Sequence, residues 1–313
     1  MPNTSKAFEP TNLVAAIRYF SDDDRAFAFV MRMRWDDGPV VCPRCSHDET
    51  TFIQTRRIWK CKGCKKQFSI KVGTIFEDSP IGFDKWLPAI WLITNSKNSV
   101  SSHELGRALG VTQKTSWFML HRIRLAFETP AYKRMTGTVE VDETYVGGKG
   151  RNMHKAQRAI KIRGRGMVNK TPVQGAKNRE TNTVRAEVIH SGSKTYAQNV
   201  TEWVTLGSTV YTDQFSGYRR LGDKFQHDYV THTRDEFVRG EVHVNGMENF
   251  WALLKRALKG TQTHTNPEHL HRYVQERVFA YNNFWMDDIG RMKTAMRQVS
   301  GRRVTYAELI SGK

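Results

Sequence analysis

The chain has 313 residues, of which 39% are hydrophobic, and it carries a formal net charge of +18 at pH 7. That length suits two or three domains. The sequence has no apolar run of about 18 residues and no apolar N-terminal stretch of the signal-peptide type, which predicts a soluble, cytoplasmic protein without a membrane span. The excess of positive charge predicts a polyanionic partner. Nucleic acid is favoured over an anionic membrane, because no basic amphipathic anchor is present.

A helical lead-in is expected over residues 1–37, followed by a compact cysteine-rich module over residues 38–72. The four cysteines of the chain follow the spacing C-x2-C-x15-C-x2-C, at Cys42, Cys45, Cys61 and Cys64. Two such knuckles on a short hairpin aim four thiolates at one point and complete a tetrahedron around zinc. The spacing therefore predicts a zinc ribbon with one structural zinc ion and no open position for chemistry. The alternative, two disulfides, is disfavoured in a reducing compartment.

Residues 73–134 are expected to form a helical DNA-binding segment. Ser101 and Glu104 have the spacing of a capping box, Gly110 is placed to end that helix, and Thr112 can cap the next one. Helix, short glycine-containing turn and helix is the helix-turn-helix pattern. The second helix would begin with three polar residues facing a major groove, namely Gln113, Lys114 and Ser116. The alternative is an ordinary helical hairpin in a core.

A strongly basic stretch follows, from residue 149 to residue 179, with ten lysines or arginines and no acid. Glycines are interspersed among these charges. Like charges at this density repel one another unless a polyanion neutralises them. The stretch is therefore interpreted as a loop that follows DNA phosphates, with contacts expected from Lys161, Arg163 and Arg165. The alternative is a solvated flexible loop.

Three acids in the second half suggest a metal centre. Alternating apolar runs lead into Asp142 and into Asp213, and Glu248 opens a helical-looking segment. Two strand-end carboxylates and one helical carboxylate can hold two Mg or Mn ions about 3.5–4 Å apart. Lys255 lies two helical turns beyond Glu248, on nearly the same face, where it could reach a phosphate.

Each of these aspartates has a simpler interpretation, because an acid at a strand end is usually a turn or cap residue. Glu143, beside Asp142, should point to the opposite face of the strand, a position that still leaves room for it near the site. An alternative chemistry would use a tyrosine as covalent nucleophile, with Tyr145 and Tyr218 as the candidates. Acids at two strand ends argue against that role.

A family resemblance rests on four motifs together with the zinc ribbon: residues 139–148, 211–213, 243–251 and 254–256. Over about residues 20–285, the chain resembles insertion-sequence transposases with an ISXO-like catalytic domain. The resemblance implies an α/β, ribonuclease-H-like DDE domain over residues 135–290, with a C-terminal tail over residues 291–313. It also implies that Asp142, Asp213 and Glu248 are the metal ligands and that Lys255 is the accompanying basic residue. Asn245, one helical turn before Glu248, is the alternative third ligand.

The expected function is a DNA transposase that binds element ends and catalyses metal-dependent strand cleavage and strand transfer. Such an enzyme would act on element ends and target DNA as a homodimer or higher assembly, associated with the nucleoid when bound. One alternative is a DNA-binding regulator with a zinc ribbon, a helix-turn-helix and an inactive catalytic domain. The other is a metal-dependent nuclease of the same fold.

Overall fold

The structure is a computed structural model. It describes residues 9–128, 133–148, 150–161, 169–189, 195–231, 238–263 and 265–311. The chain divides into two compact units, one formed by residues 1–128 with residues 283–313 and the other by residues 129–282. Within the described ranges, no helix combines the length and the apolar character that a bilayer crossing requires.

The first unit begins with two short helices, each with a side-chain cap at its N-terminus. Helix α1 spans Leu13–Phe20, and helix α2 spans Asp23–Trp35. Asn12 and Asp22 accept hydrogen bonds from backbone amides of the first turns, which satisfies donors that have no partner inside the helix. Both helices lie within the range given to the helical lead-in.

A small antiparallel sheet follows. Its three strands are β1 (Thr50–Ile53), β2 (Ile58–Cys61) and β3 (Gln67–Ser69). Trp59 of β2 is buried, and its ring stacks on Phe27 of α2 at 5.8 Å and on Phe68 of β3 at 5.9 Å between centroids. These contacts attach the cysteine-rich module to α2. They give it an aromatic core that is larger than the hairpin alone could supply.

Three helices occupy the middle of the first unit. They are α3 (Phe83–Asn95), α4 (Ser102–Leu109) and α5 (Gln113–Leu125). The capping box of Ser101 and Glu104 is formed, and Gly110 ends α4 in the left-handed conformation with φ of 62°. Thr112 caps α5 through the amide of Thr115 at 3.2 Å. These helix boundaries confirm the ones predicted from local sequence signals.

The C-terminal residues belong to the first unit, which differs from the predicted tail over residues 291–313 and from the predicted end of the catalytic domain at residue 290. They form α10 (Asp288–Met296) and α11 (Tyr306–Ser311). Met292 and Met296 are fully buried, and Asn95 of α3 accepts a 2.7 Å hydrogen bond from Arg291. Buried methionines and this contact with α3 explain why the segment is part of a core.

The second unit is built on one mixed sheet of five strands. The strands are β4 (Thr138–Val146), β5 (Thr171–Asn178), β6 (Val184–Val188), β7 (Thr209–Asp213) and β8 (Gln226–Val230). Their order is β6-β5-β4-β7-β8, with β4 in the centre. β5 is antiparallel to β4 and β6, whereas β7 is parallel to β4 and β8.

Three helices cover the sheet of the second unit on two faces: α7 (Tyr196–Trp203), α8 (Asn245–Gly260) and α9 (Leu270–Asn282). A shorter helix, α6 (Lys155–Lys161), precedes them in the chain. One buried cluster joins the sheet to Trp203 of α7, and a second joins it to Phe250 of α8 and Val274 of α9. Val139 and Val141 belong to the α7 side, so the alternating residues of β4, including Asp142, face α8. An α/β unit is thus confirmed.

Gly175 allows α8 to lie close to the sheet. It pairs with Asp142 across β4 and β5. A Cβ atom at residue 175 would stand 2.4 Å from Cε of Met247 and 2.8 Å from the ring of Trp251. A side chain there would therefore push α8 away from the strand that carries Asp142.

Candidate functional site

The two predicted aspartates lie on neighbouring parallel strands. The pairing of β4 with β7 ends at Glu140 and Tyr211, and Asp213 is the last residue of β7. Asp142 lies inside β4 rather than at its end, which corrects the prediction that both acids end strands. The reason is that β5 continues to pair with β4 as far as Val146, after β7 has stopped. Both aspartates therefore lie close to the place where β7 stops pairing with β4.

A third carboxylate joins them. Ligand atoms of Asp142, Glu143 and Asp213 all lie within 4.8 Å of one another. Tyr218, fully buried on the α7 side, donates a 3.0 Å hydrogen bond to Oε2 of Glu143. Glu143 thus starts from the face of β4 opposite to Asp142, as its position predicts, yet its carboxylate reaches the group because β7 ends there. Its place next to Asp142 was the only sequence signal for this proximity.

Burial and mutual repulsion perturb these acids. Burial, together with the nearby charges of Asp213 and Glu248, raises the pKa of Asp142 to about 7. Burial, together with the charges of Asp213 and Asp142, likewise raises the pKa of Glu143 to about 8. Hydrogen bonds from Trp251 and Tyr218 oppose the two shifts. Like charges held this close favour protonation unless a cation neutralises them.

Helix α8 places its residues beside Asp142. The indole Nε1 of Trp251 donates a 2.9 Å hydrogen bond to Oδ2 of Asp142. Glu248 lies in the first turn of α8 and is exposed, as is Asn245 at the first residue. Glu248 is near enough to raise the pKa of Asp142 but lies outside the 4.8 Å group.

Lys255 is also exposed on α8, and it lies within electrostatic reach of the same acid. Partial burial lowers the pKa of Lys255, and the negative charge of Asp142 opposes that shift. Two neighbouring lysines, Lys259 and Lys170, add to the lowering. A cationic side chain thus lies within electrostatic reach of the acid group.

The two candidate nucleophilic tyrosines, Tyr145 and Tyr218, interact with neighbouring side chains. The hydroxyl of Tyr218 is buried and hydrogen bonded to Glu143, and burial raises its pKa well above the ordinary range. Burial also raises the pKa of Tyr145, which interacts with the side chain of Tyr196. Neither phenol is easily ionised, as a covalent nucleophile would need to be.

The four cysteines form a second candidate metal site. All four are free thiols, and their sulfur atoms lie within 4.8 Å of one another. The Sγ–Sγ distances are 3.8 Å for Cys42 and Cys64 and 3.6 Å for Cys45 and Cys61. A tetrahedral zinc site with Zn–S bonds of about 2.3 Å has sulfur atoms about 3.8 Å apart. A backbone hydrogen bond at His47 and the neighbouring thiols lower the pKa of Cys45 to about 6, which favours a thiolate.

The predicted DNA-contacting residues of α5 do not share one environment. Gln113 and Lys114 are exposed, and Nζ of Lys114 lies 4.5 Å from the ring centroid of Tyr306 in α11. Ser116 is fully buried, and its hydroxyl donates to the carbonyls of Ser102 and Gln113. The expectation that Ser116 faces a groove is therefore corrected, because this side chain joins α5 to α4.

The predicted contacts of the basic stretch lie outside what the structure describes. Arg163 and Arg165 fall in residues 162–168, and for Lys161 only the backbone of α6 is described.

The chemistry of each donor set fits one class of metal. Three clustered carboxylates suit a hard divalent cation such as Mg or Mn, which binds through oxygen. Four convergent thiolates suit zinc in a closed tetrahedral site. The acid group could therefore hold a divalent ion next to a phosphate, and the cysteine group could hold an ion that only stabilises the fold.

Comparison with known proteins places these features in a family. Residues 134–282 match the model of the ISXO2-like transposase domain, and residues 21–67 match that of the transposase zinc-ribbon domain. The chain is 31% identical over 256 residues to an uncharacterized protein in transposable element ISH50 of Halobacterium salinarum, covering 77% of this chain and 85% of that protein. It is also 33% identical over 92 residues to an uncharacterized transposase-like protein of Haemophilus influenzae, covering 29% of this chain and 73% of that protein.

Proposed function

From the premise that the chain belongs to the family of insertion-sequence transposases with an ISXO2-like catalytic domain, we propose that it cleaves element ends and joins them to target DNA. One observation carries this proposal: Asp142 and Asp213 converge from adjacent parallel strands, beside α8 with its Glu248. The order of the five strands, with antiparallel neighbours on one side of β4 and parallel ones on the other, supports a ribonuclease-H-like DDE domain.

The proposed metal ligands are Asp142, Asp213 and Glu248, with Asn245 as the alternative to Glu248. Two Mg or Mn ions at such a site would stabilise the attacking and leaving oxygens of a phosphodiester displacement. Glu143 is close enough to Asp142 and Asp213 to contribute a further oxygen. Lys255 would neutralise a phosphate of the bound strand, and Trp251 would keep Asp142 oriented toward the site.

The reaction proposed is hydrolysis followed by transesterification. Water attacks the phosphodiester at the element end, and the bond to the leaving oxygen breaks to release a 3′ hydroxyl. That hydroxyl then attacks a target phosphodiester at the same site. The protein positions both strands and supplies no covalent nucleophile, in keeping with the buried hydroxyl of Tyr218.

DNA binding is assigned mainly to the first unit. Cys42, Cys45, Cys61 and Cys64 would hold one structural zinc ion. Helices α4 and α5 would act as a helix-turn-helix, with Gln113 and Lys114 at the exposed start of α5. The basic stretch with Lys161, Arg163 and Arg165 would follow the phosphate backbone. A homodimer or larger assembly is proposed because two element ends must be handled together, in the cytoplasm and on the nucleoid.

A strand-transfer assay tests the proposal. Purified protein is mixed with labelled DNA carrying the inverted repeats that flank the gene, unlabelled target DNA, and Mg or Mn. A transposase yields both cleaved ends and labelled joined products. A nuclease of the same fold yields cleavage without joining, and a regulator with an inactive catalytic domain yields specific binding without cleavage. Either of the last two results would contradict the proposed function.

A further inference from the structure

A buried glutamate connects the central strand to the helix that carries Glu248. Glu140 lies two residues before Asp142 on the same side of β4 and is only 2% exposed. Its Oε2 accepts hydrogen bonds from the backbone amides of Gly246 at 2.7 Å and Met247 at 3.1 Å. These amides belong to the first turn of α8, whose N-terminus has no cap from its own side chains. A carboxylate from the sheet therefore caps α8.

The other oxygen of Glu140 is also held. Arg179 donates from Nε to Oε1 of Glu140 at 2.8 Å, and its terminal nitrogens donate to the carbonyls of Glu241 at 2.9 Å and His243 at 3.0 Å. The ion pair of Glu140 and Arg179 thus binds the segment that precedes α8 through Arg179 and the first turn of α8 through Glu140. A buried carboxylate needs such a partner, since an unpaired charge would be strongly destabilising.

Close packing fixes this arrangement further. A Cβ atom at residue 246 would lie 2.7 Å from Oε2 of Glu140 and 2.6 Å from Nζ of Lys177. Both distances are too short for a real contact, so a side chain at residue 246 would displace the ends of the Glu140 and Lys177 side chains. Such a displacement would disturb the hydrogen bonds from the amides of Gly246 and Met247 to Glu140.

We infer that Glu140 is a positioning residue, which fixes the start of α8 on β4 so that Glu248 stands at a set distance from Asp142. The inference rests on the proposed function for the role of Glu248. Glu140 does not need to touch metal or DNA for this, because its two oxygens already accept three hydrogen bonds inside the protein and Oε1 lies 3.5 Å from Nδ1 of His243. A role in stability alone would leave the metal site of the folded protein unchanged.

The test measures Mn2+ binding to the purified, folded full-length protein without DNA, by the electron paramagnetic resonance signal of free Mn2+. The variants are Glu140→Gln and Gly246→Ala, each made in the natural sequence and with Glu248→Gln. Asp142→Asn reports on the metal site itself. Asn199→Ala is the matched stability control, because it removes a buried hydrogen bond to Gln174 on the α7 side of the sheet.

We expect Glu140→Gln and Gly246→Ala to weaken Mn2+ binding by about 10- to 100-fold, as loss of a supporting residue usually does. With Glu248→Gln already present, the further loss should be under about twofold, because both changes act on the same ligand. Asn199→Ala should lower the melting temperature and leave Mn2+ affinity unchanged. Gly246→Ala keeps the test valid if Glu140→Gln fails to fold.

Three outcomes overturn the inference in distinguishable ways. Unchanged Mn2+ binding by Asp142→Asn removes the metal site, and the positioning role falls with it. Loss of Mn2+ in Asp142→Asn, together with normal binding or a fully additive loss in Glu140→Gln, overturns the positioning role alone. If Asn199→Ala and Glu140→Gln have similar melting temperatures and lose the same Mn2+ affinity, Glu140 contributes only to the general stability of the fold.

Discussion

The indole nitrogen of Trp251 donates a 2.9 Å hydrogen bond to Oδ2 of Asp142, which joins α8 directly to the central acid of the site. Trp251 is 4% exposed and belongs to the core between α8 and the sheet. Its hydrogen bond opposes the burial that raises the pKa of Asp142 to about 7. The same side chain therefore packs the helix and favours the charged form of a proposed metal ligand.

We predict that Trp251→Phe lowers DNA cleavage near neutral pH by about 10- to 100-fold, the usual cost of removing a partner of a metal ligand. Without the donor, the pKa of Asp142 rises and more of the acid is protonated. The deficit should shrink as pH increases, because deprotonation restores the ligand. Cleavage rates measured across pH check this, with Trp203→Phe in the other core as control. A deficit that is constant with pH would point to packing instead.

A second prediction concerns stability and pH. The pKa values of Asp142 and Glu143 are raised to about 7 and about 8, so the folded protein binds these protons more tightly than the unfolded chain. Their contribution to the free energy of unfolding is complete below the ordinary carboxyl range and is lost as pH rises through about 7 to 8. Without divalent ions, the protein should therefore become less stable as pH rises from about 4 to about 8, with no further loss from these two acids above that range.

Denaturant unfolding of the natural protein and of Asp142→Asn isolates this effect, since the other titrating groups are common to both. The variant should lose less stability with rising pH, and added Mg2+ should restore more stability to the natural protein at the alkaline end. Parallel curves for the two proteins would mean that the pKa of Asp142 is not raised by folding.

How far the sequence predicted the structure depended on whether the signal was local. The capping box of Ser101 and Glu104 and the left-handed Gly110 act within one helical turn, so their positions in the chain were sufficient. Two acids after alternating apolar runs predicted two strands that each carry a carboxylate. Parallel pairing of those strands, β4 and β7, then brings Asp142 and Asp213 together. In each case the signal is either a contact within one helical turn or an apolar pattern that repeats every second residue along a strand.

Side-chain burial and contacts that depend on residues distant in the sequence were not predicted. Ser116 has the polarity of a surface residue, but it is buried between α4 and α5, where its hydroxyl donates a hydrogen bond to the carbonyl of Ser102. The proximity of Glu143 to Asp213 depends on where β7 stops, which no residue near Glu143 encodes. The helix of Met292 and Met296 belongs to a core whose other elements precede it by some 200 residues, as in the 196-residue separation of Arg291 and Asn95.

The cysteine site should be structural. Replacing Cys42 or Cys64 with Ser removes one thiolate from a closed set of four, so bound zinc should be lost and about residues 38–70 should unfold locally. DNA binding should weaken, while the second unit keeps its fold. Zinc content and hydrogen exchange check this, with Thr51→Ser on β1 as a control that keeps all four thiolates. Purified natural protein without zinc would contradict the assignment.

The basic stretch should act through phosphates. Replacing Lys161, Arg163 and Arg165 together with Gln should lower affinity for all DNA sequences alike. It should also flatten the log–log salt dependence by up to about three units, at about 0.9 per lost contact. A control that exchanges Lys and Arg at the same positions keeps the charge and should retain most of the affinity. A selective loss for the element end would instead show that these residues read bases.

The third metal ligand can be assigned by comparing two neighbours on α8. Glu248→Gln keeps the size of the side chain but removes its charge, so cleavage in Mg or Mn should be abolished while end binding stays near normal. Asn245→Ala should have a milder effect. Robust cleavage by Glu248→Gln together with an inactive Asn245→Ala would transfer the role to Asn245.

Cleavage of labelled end DNA by Asp142→Asn and Asp213→Asn, with DNA binding measured in parallel, tests the metal-site account most directly. Each change keeps the shape of the side chain and removes one of the two carboxylates that converge between β4 and β7. The account predicts that both variants bind end DNA almost as the natural protein does and that neither cleaves it in Mg or Mn. Robust cleavage by either variant would contradict the metal site at these two aspartates.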